Sequence, residues 1–180
     1  GVNGRLYQPD PLAQGPPPDS SFPAAAYQGL VQPYANNPLD GENIGESVYL
    51  GILNRALRYV YIMTPYLIPG HELLQALILC AKSGVDVRII TPHIADKWFV
   101  HEMTRSHYQP LIEAGVKIYE YTPGFLHSKV FLCDDQIGTV GSVNLDYRSL
   151  RLHFENGVYL AGAKCLVEIR ADFKQTLARC

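Results

Sequence analysis

The sequence predicts an α/β fold with a mixed, mainly parallel sheet and helices on both faces. Between residues 40 and 121, short β-rich apolar runs alternate with amphipathic segments, as expected for parallel strands joined by crossover helices. Two further apolar runs, 127–133 and 137–140, are separated by the turn residues Asp134 and Asp135. This pair of runs predicts an antiparallel hairpin added to the sheet.

The chain divides into a proline-rich linker over residues 1–29 and one folded domain over residues 30–180. The linker contains the runs Q-P-D-P-L and G-P-P-P-D-S-S-F-P. Proline at that density is incompatible with a regular helix or a central strand. The remaining residues are numerous enough for a single domain with its own core.

The first half of the domain contains three predicted strands and two predicted helices. Asp40 and Asn43 are alternative caps for the first helix, whose apolar side chains recur every three or four residues. The run R-Y-V-Y-I-M-T before Pro65 has the composition of a strand, and Gly84 ends the second helix. The predicted elements are a strand at 30–34, a helix ending near 57, a strand at 58–64, a helix at 71–83 and a strand at 85–91.

The loop 65–70 follows the C-terminal end of a predicted parallel strand, where open α/β sheets tend to place their sites. Tyr66 and Leu67 lie in this loop. Two roles are open for both side chains, contact with a substrate or packing against the domain.

The second half begins with a long amphipathic run that ends at Gly115 and predicts one helix over 97–114. The apolar and aromatic residues that follow predict a strand, and Thr122–Pro123–Gly124 forms a turn into the hairpin. The remaining predictions are a strand at 116–121, the hairpin, a loop at 144–151, a strand at 152–160 and a closing helix at 163–178.

Composition argues against several classes of protein. The net charge is −2 and no run of lysine or arginine occurs, so nucleic acid is not an expected partner. The four cysteines are widely spaced and form no C-x-x-C pair, so we expect a reducing compartment and neither a metal nor a cofactor. Cys80 and Cys133 fall in apolar helix and strand patterns, which predicts buried thiols. The longest apolar run, 76–81, is much shorter than the ~20 residues of a membrane span, so this chain itself is expected to be soluble.

Residues 127–144 carry the pattern H-x-K-x4-D-x6-G-S-x-N, formed by His127, Lys129, Asp134, Ser142 and Asn144. Residues two apart share a face of a strand, so His127 and Lys129 should lie side by side. A lysine within a buried strand is costly unless it is paired or binds an anion. A histidine, a fixed positive charge and neutral donors around a small-residue turn suit a phosphate ester.

Two carboxylates complete this region. Asp134 lies on the opposite face of the strand from His127, so we expect it to hold the hairpin by hydrogen bonds. Glu155 follows the motif and would fix the tautomer of His127 if it reaches that ring, as carboxylates do in acyl-transfer triads.

The pattern resembles the HKD motif of the phospholipase D superfamily. The wider sequence, from about Gln32 to the chain end, is similar to the C-terminal half of bacterial cardiolipin synthases. The fold implied is therefore a phospholipase D-like half. The segments that carry the second resemblance are T-P-Y-L-I-P (64–69), G-V-D-V-R-I-I-T-P (84–92), L-I-E-A-G-V-K-I-Y-E-Y-T-P-G-F-L-H-S-K (111–129) and V-N-L-D-Y-R-S-L-R-L-H-F-E-N (143–156).

The resemblance implies a phosphohistidine mechanism without a metal. Two HKD motifs meet, one histidine attacks phosphorus, and the other protonates the leaving alcohol and deprotonates the incoming one. His127, Lys129, Asp134 and Glu155 would be the catalytic group, and Lys129, Ser142 and Asn144 would bind phosphate. Whether His127 is the nucleophile or the general acid/base stays open.

The same resemblance suggests a particular lipid. The whole enzyme would join two phosphatidylglycerol molecules into cardiolipin and release glycerol, at the cytoplasmic face of the membrane. This chain would supply one half and would need an N-terminal HKD half as its partner. Arg148 would contact a lipid phosphate or bridge to an acid.

Two rival hypotheses remain. In the first, the chain is a self-dimerising single-motif phosphodiesterase or nuclease, and a second copy completes its site. In the second, it is a non-catalytic module that docks on a membrane or a partner. The intact motif argues against a non-catalytic module.

Overall fold

The computed structural model describes residues 29–180, so the predicted linker, apart from Gly29, lies outside the described residues. Strands and helices alternate along most of the domain. In chain order they are β1 (Leu30–Asn36), α1 (Ile44–Leu53), β2 (Tyr59–Met63), β3 (Leu67–Ile68), α2 (His71–Lys82), β4 (Asp86–Pro92), α3 (Trp98–Ser106), α4 (Tyr108–Glu113), β5 (Lys117–Tyr121), β6 (Val130–Cys133), β7 (Ile137–Gly141), β8 (Leu145–Asp146), α5 (Tyr147–Arg151), β9 (Glu155–Ala161) and α6 (Cys165–Leu177).

Seven of the described strands form one sheet in the order β1-β9-β7-β6-β2-β4-β5. The α/β class and the mixed sheet are confirmed. The expected parallel majority needs correction, because only β2–β4 and β4–β5 are parallel within this sheet. The other four neighbouring pairs are antiparallel. Helices join the parallel strands, whereas β6 and β7 are joined by a short turn over 134–136, which favours antiparallel pairing.

Helices cover both faces of this sheet, as predicted. Alternate residues of β2 point to opposite sides: Val60 and Ile62 belong to one buried cluster, which includes side chains of α1, α2 and α4. Tyr61 and Met63 belong to a second cluster with α6, where the Tyr61 ring stacks on Phe173 with centroids 4.6 Å apart. Two apolar layers therefore hold β2 between them.

Several element boundaries differ from the prediction. The helix α1 ends at Leu53, short of residue 57. The single helix expected over 97–114 is two helices, α3 and α4, separated at His107. Pro110 accounts for the break, because it has no N–H to donate to the carbonyl of residue 106 and is tolerated only in the first turn of a new helix.

The motif region also departs from regular strand. The predicted strand 127–133 begins only at Val130, and β9 begins at Glu155, not at residue 152. The predicted loop 144–151 contains β8 and α5. The short strand β8 pairs in parallel with β3, with Leu145 opposite Leu67, so the loop 65–70 is fixed beside the motif.

Candidate active site

His127 and Lys129 lie in the irregular segment that leads into β6. The structure brings the two side chains together, as their spacing predicts. The Lys129 Nζ atom is 3.0 Å from Nδ1 of His127 and donates a hydrogen bond of 2.7 Å to the His127 carbonyl. Lys129 is 8% exposed, whereas His127 is exposed and stacks on Phe125 with ring centroids 5.6 Å apart. A buried cation thus supports a ring that solutes can reach.

Burial, and then the positive charge of Lys129, lower the pKa of His127, while the carboxylate of Asp96 acts to raise it. Burial also lowers the pKa of Lys129, against the opposing influence of Glu155 and Asp146. An ammonium can only donate, so Nδ1 of His127 accepts this hydrogen bond. The neutral ring therefore carries its hydrogen on Nε2.

Glu155 lies beside the motif, where it contacts Ser142 and not His127. The Ser142 hydroxyl donates to Glu155 Oε2, and the Ser149 hydroxyl donates to Glu155 Oε1 at 2.8 Å. Among residues 29–180, no hydrogen bond joins Glu155 to His127, so the contact considered from the sequence is not formed here. The register of β7 and β9, which places Gly141 opposite Gly157, brings Glu155 to Ser142 instead.

Ser149 is a site residue that the sequence analysis missed. Its hydroxyl is buried, accepts a hydrogen bond of 2.8 Å from the Asn144 backbone N–H and donates to Glu155. A signal was present in the sequence, since Asp146 is placed to cap a short helix. Its Oδ1 accepts the N–H groups of Arg148 and Ser149 at 3.0 and 3.2 Å, which turns Ser149 towards the motif.

Asn144 keeps unused hydrogen-bonding capacity. Its side-chain Oδ1 is the buried polar atom that lacks a partner within the part of the chain that the structure describes. Leaving such an atom unpaired costs free energy. The side chain also lines a cavity beside the motif, so a bound molecule with a hydrogen to donate would satisfy it.

Asp134 lies at the other end of β6 from His127. Its carboxylate accepts the backbone N–H groups of Leu57, Arg58 and Tyr59 at 2.7, 3.0 and 2.7 Å. Burial acts to raise the pKa of Asp134, but these amides outweigh it and the pKa is lowered. The contacts hold the hairpin to the start of β2, and Asp134 reaches none of the other motif residues.

A cavity of about 410 Å³ opens between α3 and α5. Its polar wall includes Tyr66, Lys97, Asn144 and Arg148, and Tyr66 donates to Asp96 at 2.9 Å. Leu67 is fully buried and has a packing role. A larger groove of about 680 Å³ lies between β1 and α1, but none of the motif residues lines it.

Within residues 29–180, no helix combines the length and the apolar character needed to cross a bilayer. The same part of the chain contains no group of three or more histidine, cysteine, aspartate or glutamate side chains positioned to share a metal ion.

The fold, together with the histidine and lysine at its motif, defines a domain of the phospholipase D class. A solved structure of this class, the phospholipase D family member Nuc from Salmonella typhimurium, superposes with a TM-score of 0.72. It is 18% identical and the match covers 84% of this chain and 96% of that one. The sequence profile described as "Cardiolipin synthase, PLD-like domain" matches residues 49–177. The chain belongs to this family.

Curated relatives extend well beyond the matched region. A cardiolipin synthase of Halalkalibacterium halodurans is 40% identical over 145 residues, which are 81% of this chain and 29% of that protein. An uncharacterized protein of Streptococcus mutans is 52% identical over 157 residues, 87% of this chain and 34% of that one. The chain thus spans about a third of the length of these relatives.

Proposed function

We propose that this chain is the phosphatidyltransferase half-domain of a cardiolipin synthase, acting on two phosphatidylglycerol molecules. The observation that carries the proposal is the contact of the buried Lys129 ammonium with the His127 ring, in a chain of the cardiolipin synthase family. Lys129 has no carboxylate ion pair within residues 29–180. A buried cation of this kind is costly, and the phosphate of a diester would supply the missing negative charge.

The reaction uses two histidines, one from each motif. A ring nitrogen of the first attacks phosphorus, and the bond from phosphorus to the departing glycerol oxygen breaks while the second histidine gives that oxygen a proton. The second histidine then takes a proton from a hydroxyl of the incoming phosphatidylglycerol. That oxygen attacks phosphorus, the N–P bond breaks, and cardiolipin leaves with both histidines restored.

Each role that the mechanism offers His127 requires a change in its hydrogen bond to Lys129. Lys129 occupies Nδ1, so the neutral ring carries its hydrogen on Nε2, and acting as the general acid would require a second proton on the ring, because a neutral imidazole is too weak an acid. A nucleophilic role would require the opposite tautomer, with Lys129 withdrawn from Nδ1.

Lys129 is the phosphate-binding residue that the geometry supports best, because it is a buried cation. Asn144 would bind phosphate through its side-chain NH₂ group, since its unsatisfied Oδ1 atom is an acceptor and a phosphate diester has no hydrogen to donate. The Ser142 hydroxyl is engaged by Glu155, so it can join them only after leaving that carboxylate. Asp134 acts through the hairpin and away from the substrate, and Glu155 acts by holding Ser142 and Ser149.

A second candidate function is a phosphodiesterase whose site forms between two identical chains. The observation that favours it is that the matched region covers 96% of the Nuc chain, so a unit of this size constitutes nearly the whole of that protein. In this case a second copy of His127 would take the place of the histidine from an N-terminal half.

The test combines activity with molar mass. Hydrolysis of a chromogenic phosphodiester is measured for the chain, for His127→Ala and for the exposed control His71→Ala, with light scattering on the same samples. We expect an inactive monomer that forms cardiolipin from phosphatidylglycerol when the N-terminal HKD half is supplied. Turnover by a dimer that is lost in His127→Ala and kept in His71→Ala would replace the half-domain proposal with the second candidate.

A further inference from the structure

We propose that an exposed apolar surface on α3 and α5 docks the chain on an anionic phospholipid bilayer. This surface, the aromatic collar, consists of Trp98, Phe99, Met103 and Tyr147. The inference deepens the proposed function and rests on it, because it identifies the lipid surface that presents the substrate.

The collar is formed by large side chains that the fold leaves uncovered. Trp98 is 77% exposed, Tyr147 61%, Phe99 52% and Met103 49%. The rings of Trp98 and Phe99 meet edge to face with centroids 6.3 Å apart, and Phe99 and Met103 lie one helical turn apart. Several large apolar side chains exposed at one place mark an interaction surface.

This surface is not the side by which α3 attaches to the domain. That side carries Thr104, which is buried and whose hydroxyl accepts the Leu67 backbone N–H at 3.2 Å. The collar residues therefore remain available without any change in the fold. Tryptophan and other amphipathic aromatic side chains favour the boundary between lipid and water.

A cavity joins the collar to Asn144 of the motif. Phe99, Met103 and Tyr147 line the cavity of about 410 Å³ that is also lined by Asn144. A phospholipid whose phosphate reaches the motif must direct its acyl chains away from the polar residues there. The apolar wall of this cavity offers that path, and it ends at the collar.

Two cations beside the collar are available to the phosphate groups of an anionic lipid. Lys97 and Arg148 both line the cavity, and neither forms an ion pair within residues 29–180. The nearby carboxylate of Asp146 accepts two backbone N–H groups of α5, and Asp96 accepts the Tyr66 hydroxyl. Each cation near an anionic surface strengthens binding by about fivefold.

A second protein chain is the alternative occupant of the collar, and aromatic side chains flanked by cations fit a lipid surface better. The two occupants differ in what they respond to. Lipid docking depends on vesicle concentration and composition, whereas covering by another copy depends on protein concentration.

The chain contains a built-in reporter, because Trp98 is its only tryptophan. The fluorescence of the 180-residue chain is recorded with vesicles of phosphatidylcholine and with vesicles that also contain phosphatidylglycerol. We expect the emission to shift to shorter wavelength with the anionic vesicles and to be quenched by lipids brominated on their acyl chains. Sedimentation with vesicles measures the bound fraction.

Paired variants identify the surface. The double variant Phe99→Ser/Met103→Ser should bind anionic vesicles at least about tenfold more weakly, since two large apolar contacts are lost. Its matched control is Leu57→Ser/Leu79→Ser, two leucines that are 84% and 65% exposed outside the collar and should leave binding unchanged. His127→Ala should also bind vesicles fully, because docking does not need the chemistry.

Three results would overturn the proposal: a folded chain whose Trp98 emission does not respond to anionic vesicles, an emission that follows protein concentration and ignores lipid, or full vesicle binding by the collar variant. The third result would also show that another surface binds the lipid.

Vesicle binding with no cardiolipin formed in the presence of the N-terminal half would refute the proposed function alone. Cardiolipin formation without a response of Trp98 would refute the collar alone.

Discussion

Lys129 donates a hydrogen bond to Nδ1 of His127 across 3.0 Å, and a second one to the carbonyl of the same residue. One side chain therefore sets both the orientation of the ring and its preferred protonation state. The arrangement resembles the way a carboxylate fixes a catalytic histidine, but the sign of the charge is opposite. A cation at Nδ1 favours the neutral ring, whereas a carboxylate would favour the charged one.

The first prediction concerns the pKa of His127. Burial and then Lys129 depress it below the ordinary value of 6.5, so the ring should stay neutral as the pH falls through 6.5. The unfolded chain takes up this proton first, so the contribution of His127 to folding stability declines as the pH falls from about 6.5 towards the folded-state pKa.

NMR titration of the histidine ring carbons measures this pKa directly. In Lys129→Met the pKa should rise but remain below the ordinary value, because burial is the larger cause. A His127 that titrates at or above 6.5 in the unaltered chain would contradict the assignment of the Lys129 contact.

The second prediction is that Lys129 favours activity at the expense of stability. Lys129→Met removes a buried cation without an ion pair and leaves an apolar side chain of similar length, so the free energy of unfolding should not fall. Cardiolipin formation with the N-terminal half should fall roughly 10²–10³-fold, as on loss of one preorganised electrostatic contact. Denaturant unfolding and the transfer assay test both statements, with Lys129→Arg as the charge-retaining control.

The third prediction assigns Asp134 to stability. Asp134→Asn places an NH₂ group against backbone donors and should lower the free energy of unfolding by about 2 kcal/mol at pH 7, as expected for hydrogen bonds to a charged group. The pKa of Asp134 is depressed, so its contribution is complete above the unfolded value of about 3.9 and is lost as the pH falls through the folded value.

The difference between Asp134→Asn and the unaltered chain should therefore shrink in acid. Denaturant unfolding at pH 7 and pH 3 measures it, and the exposed Asp172→Asn is the control. Equal stability of Asp134→Asn and the unaltered chain at pH 7 would show that the three amide contacts contribute nothing.

The fourth prediction separates two roles of Glu155. If Glu155 acts by holding the hydroxyls of Ser142 and Ser149, the effects of Glu155→Gln and Ser149→Ala on the free energy of unfolding should couple by about 1 kcal/mol in a double-mutant cycle. Glu155→Gln should then leave the pKa of His127 close to its original value. A marked fall of the His127 pKa in Glu155→Gln would instead support direct contact between the carboxylate and the ring.

The parts of the site that could be predicted from the sequence are those that depend on local spacing. The two-residue interval from His127 to Lys129 places their side chains together even though the segment is not a regular strand. The turn at Asp134 is equally local, since both Asp134 and Asp135 adopt positive φ, which aspartate tolerates better than most residues.

Features that depend on distant pairing could not be predicted in this way. The partners of Glu155 follow from the register of β9 against β7, which the sequence pattern does not fix. The proportion of parallel and antiparallel strand pairs in the sheet could not be predicted for the same reason, because the apolar run of a buried strand does not show in which direction its neighbour runs. Trp98 and Phe99 resemble ordinary helix residues in the sequence, and only the packing of α3 shows that they are uncovered.

The pairing of β3 with β8 determines how early in synthesis of the chain the site can assemble. Leu67 and Leu145 meet only when nearly the whole domain has left the ribosome, and Glu155 on β9 emerges later still. Contacts between residues this far apart in sequence form late in folding. A chain that has emerged only as far as Lys129 lacks β8, which fixes the loop 65–70 beside the motif, and such a chain has no assembled site.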